Sequence, residues 1–489
     1  MECYLTKLPL GIQRIIFHYL PLKDLIRITG VSKHFHHLVR NSIWSHCIKW
    51  KPIIYHLLII YRFTCFDFSY SDITDNDLCF LAKCTHGLKI EVDLSSCRKI
   101  TDIGLSHLRQ VYKLKINGNY RYITDQGWQH LTGCEEITIK NNNRLFDHSL
   151  TIFRNCHMIE LISVKCITDF AFQELVNCEK LILRFCNTVT DRGIEKLINC
   201  KYLFLMGCPL ITDQSIQKLS KCKTFRLYDC YGITGSFIRQ VDGHCDLISL
   251  TNGTVDSENP IRCCKIKLFN CQITESVSFQ FCQYVTISHN RFITDDVVRQ
   301  LSHCRMVHVP HCPHITDQGV LSLVNCWSVS VSGCKQVTDI GIQALSKCER
   351  VYCTGCSRIT DQSIKALSHC LIVWLKGCIQ VTDEGLWALA NCWKVSVSGC
   401  RLITDRGLEA LSCCRTVVAS HLPLVTDQGI YYLKSCHTID VSGCQGVSDL
   451  GIRKLVTCSK VHLGEIDSLS LETIKFLASK TRLRPVEKN

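Results

Sequence analysis

The chain has 489 residues, too many for one ordinary hydrophobic core, and 46% of them are hydrophobic while 20% are charged. This composition excludes an intrinsically disordered chain and suits a folded protein that grows by adding structural units. The net charge of +13, with histidine counted as neutral, favours an acidic partner, although lysine and arginine are spread along the chain. Because such a distribution is weak evidence for nucleic-acid binding, we expect none.

The sequence predicts neither a signal peptide nor a membrane-spanning segment. No sustained apolar stretch follows the N-terminal methionine. The most apolar run, residues 53–60, is interrupted by His56 and is too short to cross a bilayer. We therefore expect no association with a membrane.

The N-terminal segment, residues 1–50, begins with a predicted helix. Ile12, Ile16 and Leu20 follow one another at intervals of four, which places them on one helical face. Prolines flank this stretch, one suited to a first helical turn and one that ends the helix.

Three further short helices are predicted in the same segment. One covers residues 23–29, the next follows Ser32 as its cap, and the last runs from Trp44 to near Trp50. Helices this short bury too little apolar surface to be stable alone. The segment is therefore either a helical cap for the rest of the chain or a docking module whose apolar face a partner completes.

The N-terminal segment resembles the F-box motif, with matching residues in the same order and spacing: Leu8-Pro9, Ile12, Ile16-Phe17, Tyr19-Leu20, Asp24-Leu25, Val31-Ser32-Lys33, Phe35 and Ile43-Trp44. The resemblance implies a small all-α F-box over residues 1–50. It also implies docking onto the small adaptor subunit of cullin-based SCF ubiquitin ligases. The residues expected to bind that adaptor are Leu8, Pro9, Ile12, Ile16, Phe17, Leu20, Leu25 and Val31.

Residues 51–71 are predicted to form a helical connector. Ile53, Leu57 and Tyr61 recur at helical spacing, and the segment holds neither a Gly/Ser tract nor a run of charges. We therefore expect a packed joint and not a flexible linker.

From residue 72 to about residue 480 the chain repeats a pattern of about 22 residues. Each unit has a cysteine, apolar residues three and five positions later, a second cysteine at plus eight, a Thr-Asp pair and a leucine at plus nineteen. The threonine of the pair keeps a step of 22 through the regular part: Thr294, Thr316, Thr338, Thr360, Thr382, Thr404 and Thr426. A fixed period of this length is the signature of a solenoid, in which each repeat packs on its neighbours.

Each repeat predicts a strand, a turn and a helix. In residues 370–392, Val373 and Leu375 have the two-residue period of one strand face. The pair Thr382-Asp383 then offers side-chain oxygens to cap a helix that continues through Leu389.

These repeats resemble the cysteine-containing subfamily of leucine-rich repeats, on the pattern Cys-x7-Cys-x2-[IV]-T-D-x-G-[IL]-x2-L seen in residues 326–345. The resemblance implies an α/β solenoid, a leucine-rich-repeat arc with one short parallel strand and one helix per repeat, over residues 72–480. A polar tail, residues 481–489, is expected to follow. Residues 235–293 lose the pattern, which predicts either degenerate repeats or a kink or functional loop.

The 36 cysteines occupy repeat positions otherwise filled by small residues, so we interpret them as buried thiols. Stacked free thiols predict a reducing compartment, the cytosol or the nucleus, whereas a disulfide scaffold is typical of short secreted chains. Cys353 and Cys356 form a C-x2-C pair without the second pair that a four-ligand zinc site needs. The sequence thus predicts no metal, no cofactor and no catalytic residue.

The strands of leucine-rich repeats line a concave face, so the resemblance implies that positions plus four and plus six point outward there. Aromatic side chains together with Arg and Met anchor protein interfaces. Two substrate-binding patches are predicted: one of Phe204, Met206, Arg226 and Tyr228, and one of Tyr352, Trp374 and Lys376. An incidental surface position is the alternative for each residue.

The two resemblances together predict the substrate-recognition subunit of an SCF-type cullin ubiquitin ligase. The F-box would bind the adaptor and, through it, a cullin, while the repeats bind a protein substrate. One alternative is a leucine-rich-repeat scaffold that acts without the ligase. Another, from a different class, is an enzyme that uses the cysteines.

Overall fold

The computed structural model describes residues 39, 43–49, 62–118, 120–240, 245–255, 260–274, 277–464, 469–480 and 482–484. The chain divides into two compact units, Met1–Ile233 and Thr234–Asn489. Both units are built from short parallel strands that alternate with helices, most of which have one or two turns.

The described part of the first unit contains nine strands that pair in parallel in chain order. They are β1 Ile43–Lys49, β2 Arg62–Asp67, β3 Ile90–Asp93, β4 Val111–Asn117, β5 Glu136–Lys140, β6 Met158–Ile162, β7 Lys180–Arg184, β8 Tyr202–Met206 and β9 Thr224–Tyr228. The α-helices are Asp75–Cys84, Asp102–Ser106, Asp125–Trp128, Asp147–Thr151, Asp191–Ile194 and Asp213–Ile216, and the 3-10 helices are Gln129–Leu131 and Asp169–Phe172.

The second unit continues the same alternation through fourteen described strands. They are β10 Cys245–Thr251, β11 Thr254–Val255, β12 Cys263–Phe269, β13 Gln272–Ile273, β14 Tyr284–Ser288, β15 Met306–His308, β16 Ser328–Ser330, β17 Arg350–Tyr352, β18 Ile372–Trp374, β19 Lys394–Ser396, β20 Thr416–Val418, β21 Thr438–Asp440, β22 Lys460–His462 and β23 Arg482–Arg484. The α-helices are Asp295–Arg299, Asp317–Val320, Asp339–Ala344, Asp361–Lys365, Asp383–Leu386, Asp405–Ala410, Asp427–Tyr432, Asp449–Arg453 and Leu471–Lys480, and the 3-10 helices are Ser236–Gln240, Leu321–Leu323, Leu345–Lys347, Trp387–Leu389, Leu433–Ser435 and Lys454–Thr457.

The repeat length sets the register of the sheet. In β18 and β19, Val373 pairs with Val395 and Trp374 with Ser396, so each residue lies beside its counterpart 22 positions later. The apolar residues at plus three and plus five are fully buried in this way, as Val373 and Leu375 show. The predicted α/β solenoid with one short parallel strand per repeat is therefore confirmed.

In most repeats the threonine of the Thr-Asp pair caps the helix that follows it, as predicted. Thr382 has an extended backbone, and its Oγ1 accepts a hydrogen bond from the Glu384 backbone N–H at 3.3 Å. This bond satisfies one of the N–H groups that a helix leaves without an internal partner at its start.

The aspartate of the pair has a different role from the predicted one, because it binds the next repeat. Asp361 accepts two hydrogen bonds, from the Thr382 backbone N–H at 2.8 Å and from Thr382 Oγ1 at 2.6 Å. We call this contact a rung. The same two bonds are accepted by Asp75, Asp102, Asp147, Asp169, Asp191, Asp295, Asp317, Asp339, Asp383, Asp405 and Asp427. The assignment of both side chains to one cap was thus wrong for the aspartate.

In most repeats Gly or Ser stands two positions after the aspartate, where it contacts the aspartate of the preceding repeat. The Gly341 N–H donates to Asp317 Oδ1 at 3.0 Å, and a Cβ on Gly341 would lie 2.5 Å from that oxygen. Where serine replaces glycine, its hydroxyl donates instead, as Ser215 Oγ does to Asp191 Oδ1 at 2.5 Å. Burial alone raises the pKa of Asp191, but the hydrogen bonds from Ser215 and its neighbours outweigh it and lower the pKa.

The cysteines are free in the described part of the chain, and most of them are buried. They also act as hydrogen-bond donors between repeats, since Cys392 Sγ donates to the Cys370 carbonyl and Cys400 Sγ to the Leu375 carbonyl, both at 3.0 Å. Burial raises the pKa of Cys400 to about 12, so this thiol is held in its neutral form. Cysteines adjoin in the sequence at Cys263-Cys264 and at Cys413-Cys414, and in these pairs Cys264 and Cys413 are exposed.

In its described part, the irregular stretch keeps its strands and contains a single short helix, the 3-10 helix Ser236–Gln240. Elsewhere in this stretch, β11 and β13 form a small parallel ladder in which Val255 pairs with Ile273. The aspartate of the pair is missing, since Thr234 is followed by Gly235 and Thr274 by Glu275. In the part of the chain that the structure describes, the buried Thr294 Oγ1 has no hydrogen-bond partner, so the rung to this threonine is absent.

The structure differs from two predicted segments, the last helix of residues 1–50 and the end of the helical connector. The helix predicted from Trp44 to near Trp50 is wrong, because β1 is a strand that pairs in parallel with β2. β2 also replaces the end of the predicted helical connector, where backbone pairing and the buried Phe63 and Phe66 favour a strand. The other predicted F-box helices and residues 51–61 lie outside the described residues.

The predicted polar tail also begins differently. Residues 482–484 form β23, in which Leu483 pairs with Val461 of β22. Pairing satisfies the backbone edge of β22, so the sheet extends into the tail.

Removing one rung should destabilise the protein more than removing a surface ion pair. We expect Asp361→Ala to cost about 1–3 kcal/mol in the free energy of unfolding, because the Thr382 N–H and hydroxyl lose their acceptor. The matched control is Glu384→Ala, which removes an exposed ion pair with Arg406. Urea unfolding followed by circular dichroism measures both, and equal midpoints would contradict the rung.

Substitutions at Gly341 should follow the order set by the rung. Gly341→Ala should destabilise the protein by about 1–3 kcal/mol, because its Cβ displaces the Asp317 carboxylate without offering a hydrogen bond. Gly341→Ser should cost less, since serine donates to the carboxylate in other repeats. Thermal unfolding of the two variants checks this ranking, which the reverse order would refute.

Candidate protein-binding surfaces

The first predicted patch is brought together by β8 and β9. Phe204 lies beside Arg226 and Met206 beside Tyr228 in the sheet, with all four side chains half-buried on the same face. The rings of Phe204 and Tyr228 are 5.4 Å apart, centroid to centroid. The strand pairing thus brings residues of two neighbouring repeats into one continuous surface.

Two arginines frame this first patch. The Arg184 guanidinium lies 4.6 Å from the centre of the Phe204 ring, and Arg226 lies 5.8 Å from the Tyr202 ring. The Nε atoms of Arg184 and Arg226 are buried without a hydrogen-bond partner in the described part of the chain. Each guanidinium is therefore held mainly by its aromatic neighbour, with Arg184 also 3.8 Å from a carboxylate oxygen of Glu160.

The second predicted patch lies on β17 and β18. Tyr352 pairs with Trp374, and their rings meet edge to face with centroids 5.3 Å apart. Lys376 lies two residues beyond Trp374, and its side chain is exposed. The structure thus groups the three predicted residues, although it does not test whether they bind a partner.

His308 belongs to the second patch, and the sequence analysis did not select it. Its ring lies 5.4 Å from that of Tyr352, although β16 separates the two strands. β16 carries the small residues Ser328 and Ser330, which leave room for the two rings to meet above them. Ser330 is only 6% exposed as a result. The sequence signal for this contact is a small residue, Ser330, between His308 and Tyr352 at position plus four of three successive repeats.

Cations cover the faces of the tryptophans around the second patch. Lys394 Nζ lies 5.0 Å from the Trp374 ring centre, and the Arg350 guanidinium lies 4.1 Å from that of Trp327. Both cations occupy position plus two of their repeats, which the sequence analysis did not consider. This position also faces outward, because side chains alternate along a strand.

Burial gives His308 an unusual titration. Desolvation, with a smaller contribution from Lys267, lowers the pKa of His308 to about 4. Its Nε2 lies 3.0 Å from Ser328 Oγ, which gives the neutral ring a hydrogen-bond partner. The imidazole is therefore neutral at physiological pH, and it acts as an aromatic contact and not as a charge.

The predicted adaptor-binding residues, Leu8, Pro9, Ile12, Ile16, Phe17, Leu20, Leu25 and Val31, lie outside the described residues. Within the described ranges, no group of three or more His, Cys, Asp or Glu side chains could hold a metal ion. The helices in those ranges are also too short or too polar to cross a bilayer.

Removing the Tyr352 ring should restore the ordinary titration of His308. We expect Tyr352→Ala to raise the pKa of His308 from about 4 toward about 6.5, because solvent regains access to the imidazole. Since folding lowers this pKa, the contribution of His308 to stability is complete above about pH 6.5 and is lost as pH falls through 4.

Imidazole proton shifts in a pH titration by nuclear magnetic resonance measure this change. Tyr431→Ala, which removes an exposed ring from the helix Asp427–Tyr432, serves as the control. A pKa of His308 that stays near 4 in the Tyr352 variant would contradict the packing described.

Comparison with known protein families identifies two parts of the chain. The model of the F-box domain matches residues 5–46, and the model of the Leucine Rich repeat matches residues 394–412. No curated protein sequence matches the chain at a significant level.

Several solved structures are similar to this chain at low sequence identity. A complex of TLR13 with ssRNA13 matches with a TM-score of 0.52 at 11% identity, over 87% of this chain and 64% of that chain, less than two thirds of its length. An internalin, InlF from Listeria monocytogenes, has a TM-score of 0.37 at 17% identity, over 71% of this chain and 88% of that chain. The complex of Rad7 and Elc1 in yeast has a TM-score of 0.31 at 16% identity, over 85% and 89%. The chain is a protein with an N-terminal F-box domain followed by a solenoid of leucine-rich repeats.

Proposed function

We propose that this chain is the substrate-recognition subunit of an SCF-type cullin ubiquitin ligase. The observation that carries the proposal is an F-box domain at residues 5–46 in the same chain as a leucine-rich-repeat solenoid. F-box domains dock onto the small adaptor subunit of these ligases, and the adaptor connects them to a cullin. The F-box would attach the chain to the ligase, and the solenoid would hold the substrate.

The strand faces support the second half of this proposal. Interfaces are anchored by a few aromatic and arginine side chains surrounded by smaller residues that exclude water. The Phe204 and Tyr228 rings with Arg184 have this composition, and so do Tyr352 and Trp374 beside the serines of β16. We assign the predicted patches, Phe204, Met206, Arg226 and Tyr228, and Tyr352, Trp374 and Lys376, to substrate binding.

In this role the chain is a non-catalytic subunit that links the substrate to the ligase. Holding a substrate lysine close to a charged ubiquitin carrier accelerates transfer by raising the effective concentration of the two reactants. The chemistry would belong to other subunits. The many buried free thiols suit a reducing compartment, so we place the protein in the cytosol or the nucleus.

The docking half is tested by Leu8→Ala combined with Pro9→Ala. We expect the affinity for the purified SCF adaptor to fall by about tenfold or more, because these residues lie on the proposed apolar docking face. Copurification of the full chain with the adaptor measures the change. The control, Phe204→Ala combined with Tyr228→Ala, should leave adaptor binding intact because both residues lie on the strand face.

Unchanged adaptor binding by the Leu8 and Pro9 variant would overturn the assigned docking face. A scaffold acting without the ligase predicts that deletion of residues 1–50 leaves the cellular effect of the protein unchanged. The same deletion in proximity labelling separates partners that need the F-box from those that bind the repeats alone.

A further inference from the structure

Three cations on the strand face of the first unit are paired within the chain. Lys113 Nζ lies 3.4 Å from carboxylate oxygens of both Glu91 and Glu136, and Lys115 Nζ lies 3.0 Å from Glu91. Further along, Arg184 lies beside Glu160. These three cations have little need of an external anion, whereas Arg226 on the same face lies against the Tyr202 ring.

The strand face of the second unit does not balance its charges between β15 and β20. In these repeats, positions plus two, plus four and plus six carry the outward side chains. The cations among them are Arg350, Lys376 and Lys394, and none of the outward side chains is a carboxylate. The residues just before the strands add Arg305 and Arg415 against the single carboxylate of Glu349. We call this area, which holds five cations and one carboxylate, the basic face.

The basic cations lack anionic partners in the described part of the chain. Arg350 and Lys394 contact tryptophan rings, and Arg415 lies 4.8 Å from the Trp393 ring, while these residues form no ion pair there. Arg350 Nε is buried without a hydrogen-bond partner. Cation–π contacts hold the groups in place but leave their charge uncompensated.

We infer that the basic face binds an acidic segment of the protein substrate, with carboxylates against Lys376, Lys394 and Arg350 and an apolar side chain against the Tyr352 and Trp374 rings. This inference rests on the proposed function and names the chemistry of the substrate. Complementary charge steers such a segment to the site and selects against basic partners. The aromatic pair supplies the apolar anchor that affinity requires.

The geometry favours a peptide over a nucleic acid. Single-stranded nucleic acids bind by stacking bases on exposed aromatic faces. Here Lys394 covers a face of the Trp374 ring, Arg350 covers one of the Trp327 ring, and Tyr352 meets Trp374 edge to face. Stacking platforms are therefore occupied, whereas the ammonium of Lys376 is exposed to reach a carboxylate.

The test measures binding of fluorescein-labelled poly-glutamate to the full chain by fluorescence anisotropy. We expect Lys376→Glu combined with Lys394→Glu to weaken binding about tenfold, because two attractive contacts become repulsive. The matched control is Lys347→Glu combined with Lys365→Glu, which makes the same change of net charge on exposed helical positions. The control should bind poly-glutamate nearly as well as the unaltered chain, and added salt should weaken binding to both.

Three outcomes would overturn the inference. They are equal weakening by both double variants, unchanged binding by the basic-face variant, and tighter binding of poly-uridine RNA than of poly-glutamate at the same salt concentration. Circular dichroism confirms that each variant is folded. Absence of adaptor binding by the unaltered chain, with its poly-glutamate binding intact, would instead refute the proposed function and leave the basic face as a site.

Discussion

The hydrogen bonds that an aspartate accepts from the threonine of the next repeat are the interaction on which the repeats depend. Parallel strands join neighbouring repeats through their backbones, but most helices are only one or two turns long. Such short helices are not stable in isolation, so they need fixed ends. The rung supplies this by tying the cap of one helix to the carboxylate of the previous repeat, as between Asp361 and Thr382.

One carboxylate therefore determines three positions of the repeat. In most repeats the threonine offers a hydroxyl, the aspartate has a short side chain, and the residue two positions after the next aspartate leaves space or donates a hydrogen bond. Gly341 meets the last condition through its backbone and Ser215 through its side chain. The surface where partners could bind is free of these demands, which is why positions plus four and plus six vary so widely along the chain.

The periodicity of the sequence predicted the strands, the helix caps and the buried positions, because each of these follows from local spacing. The periodicity could not show which group binds the aspartate. The same Thr-Asp pair recurs whether the aspartate caps its own helix or binds the threonine of the next repeat. The meeting of His308 and Tyr352 depends on the small residues of β16 and was equally hidden. The sequence predicted a helix at β1 because a short apolar run fits both the helical and the strand period. Only the pairing of β1 with β2 decides between them.

The absent rung at Thr294 bears on how the protein folds. In a linear array, order spreads from a nucleus only as far as neighbouring repeats are coupled strongly enough to recruit one another. The repeats that follow Thr294 are joined by both backbone pairing and rungs, whereas the stretch before it has the backbone pairing without the carboxylate. Cooperativity within the second unit is therefore weakest at this point, and the repeats beyond it form a block that can nucleate and propagate by itself.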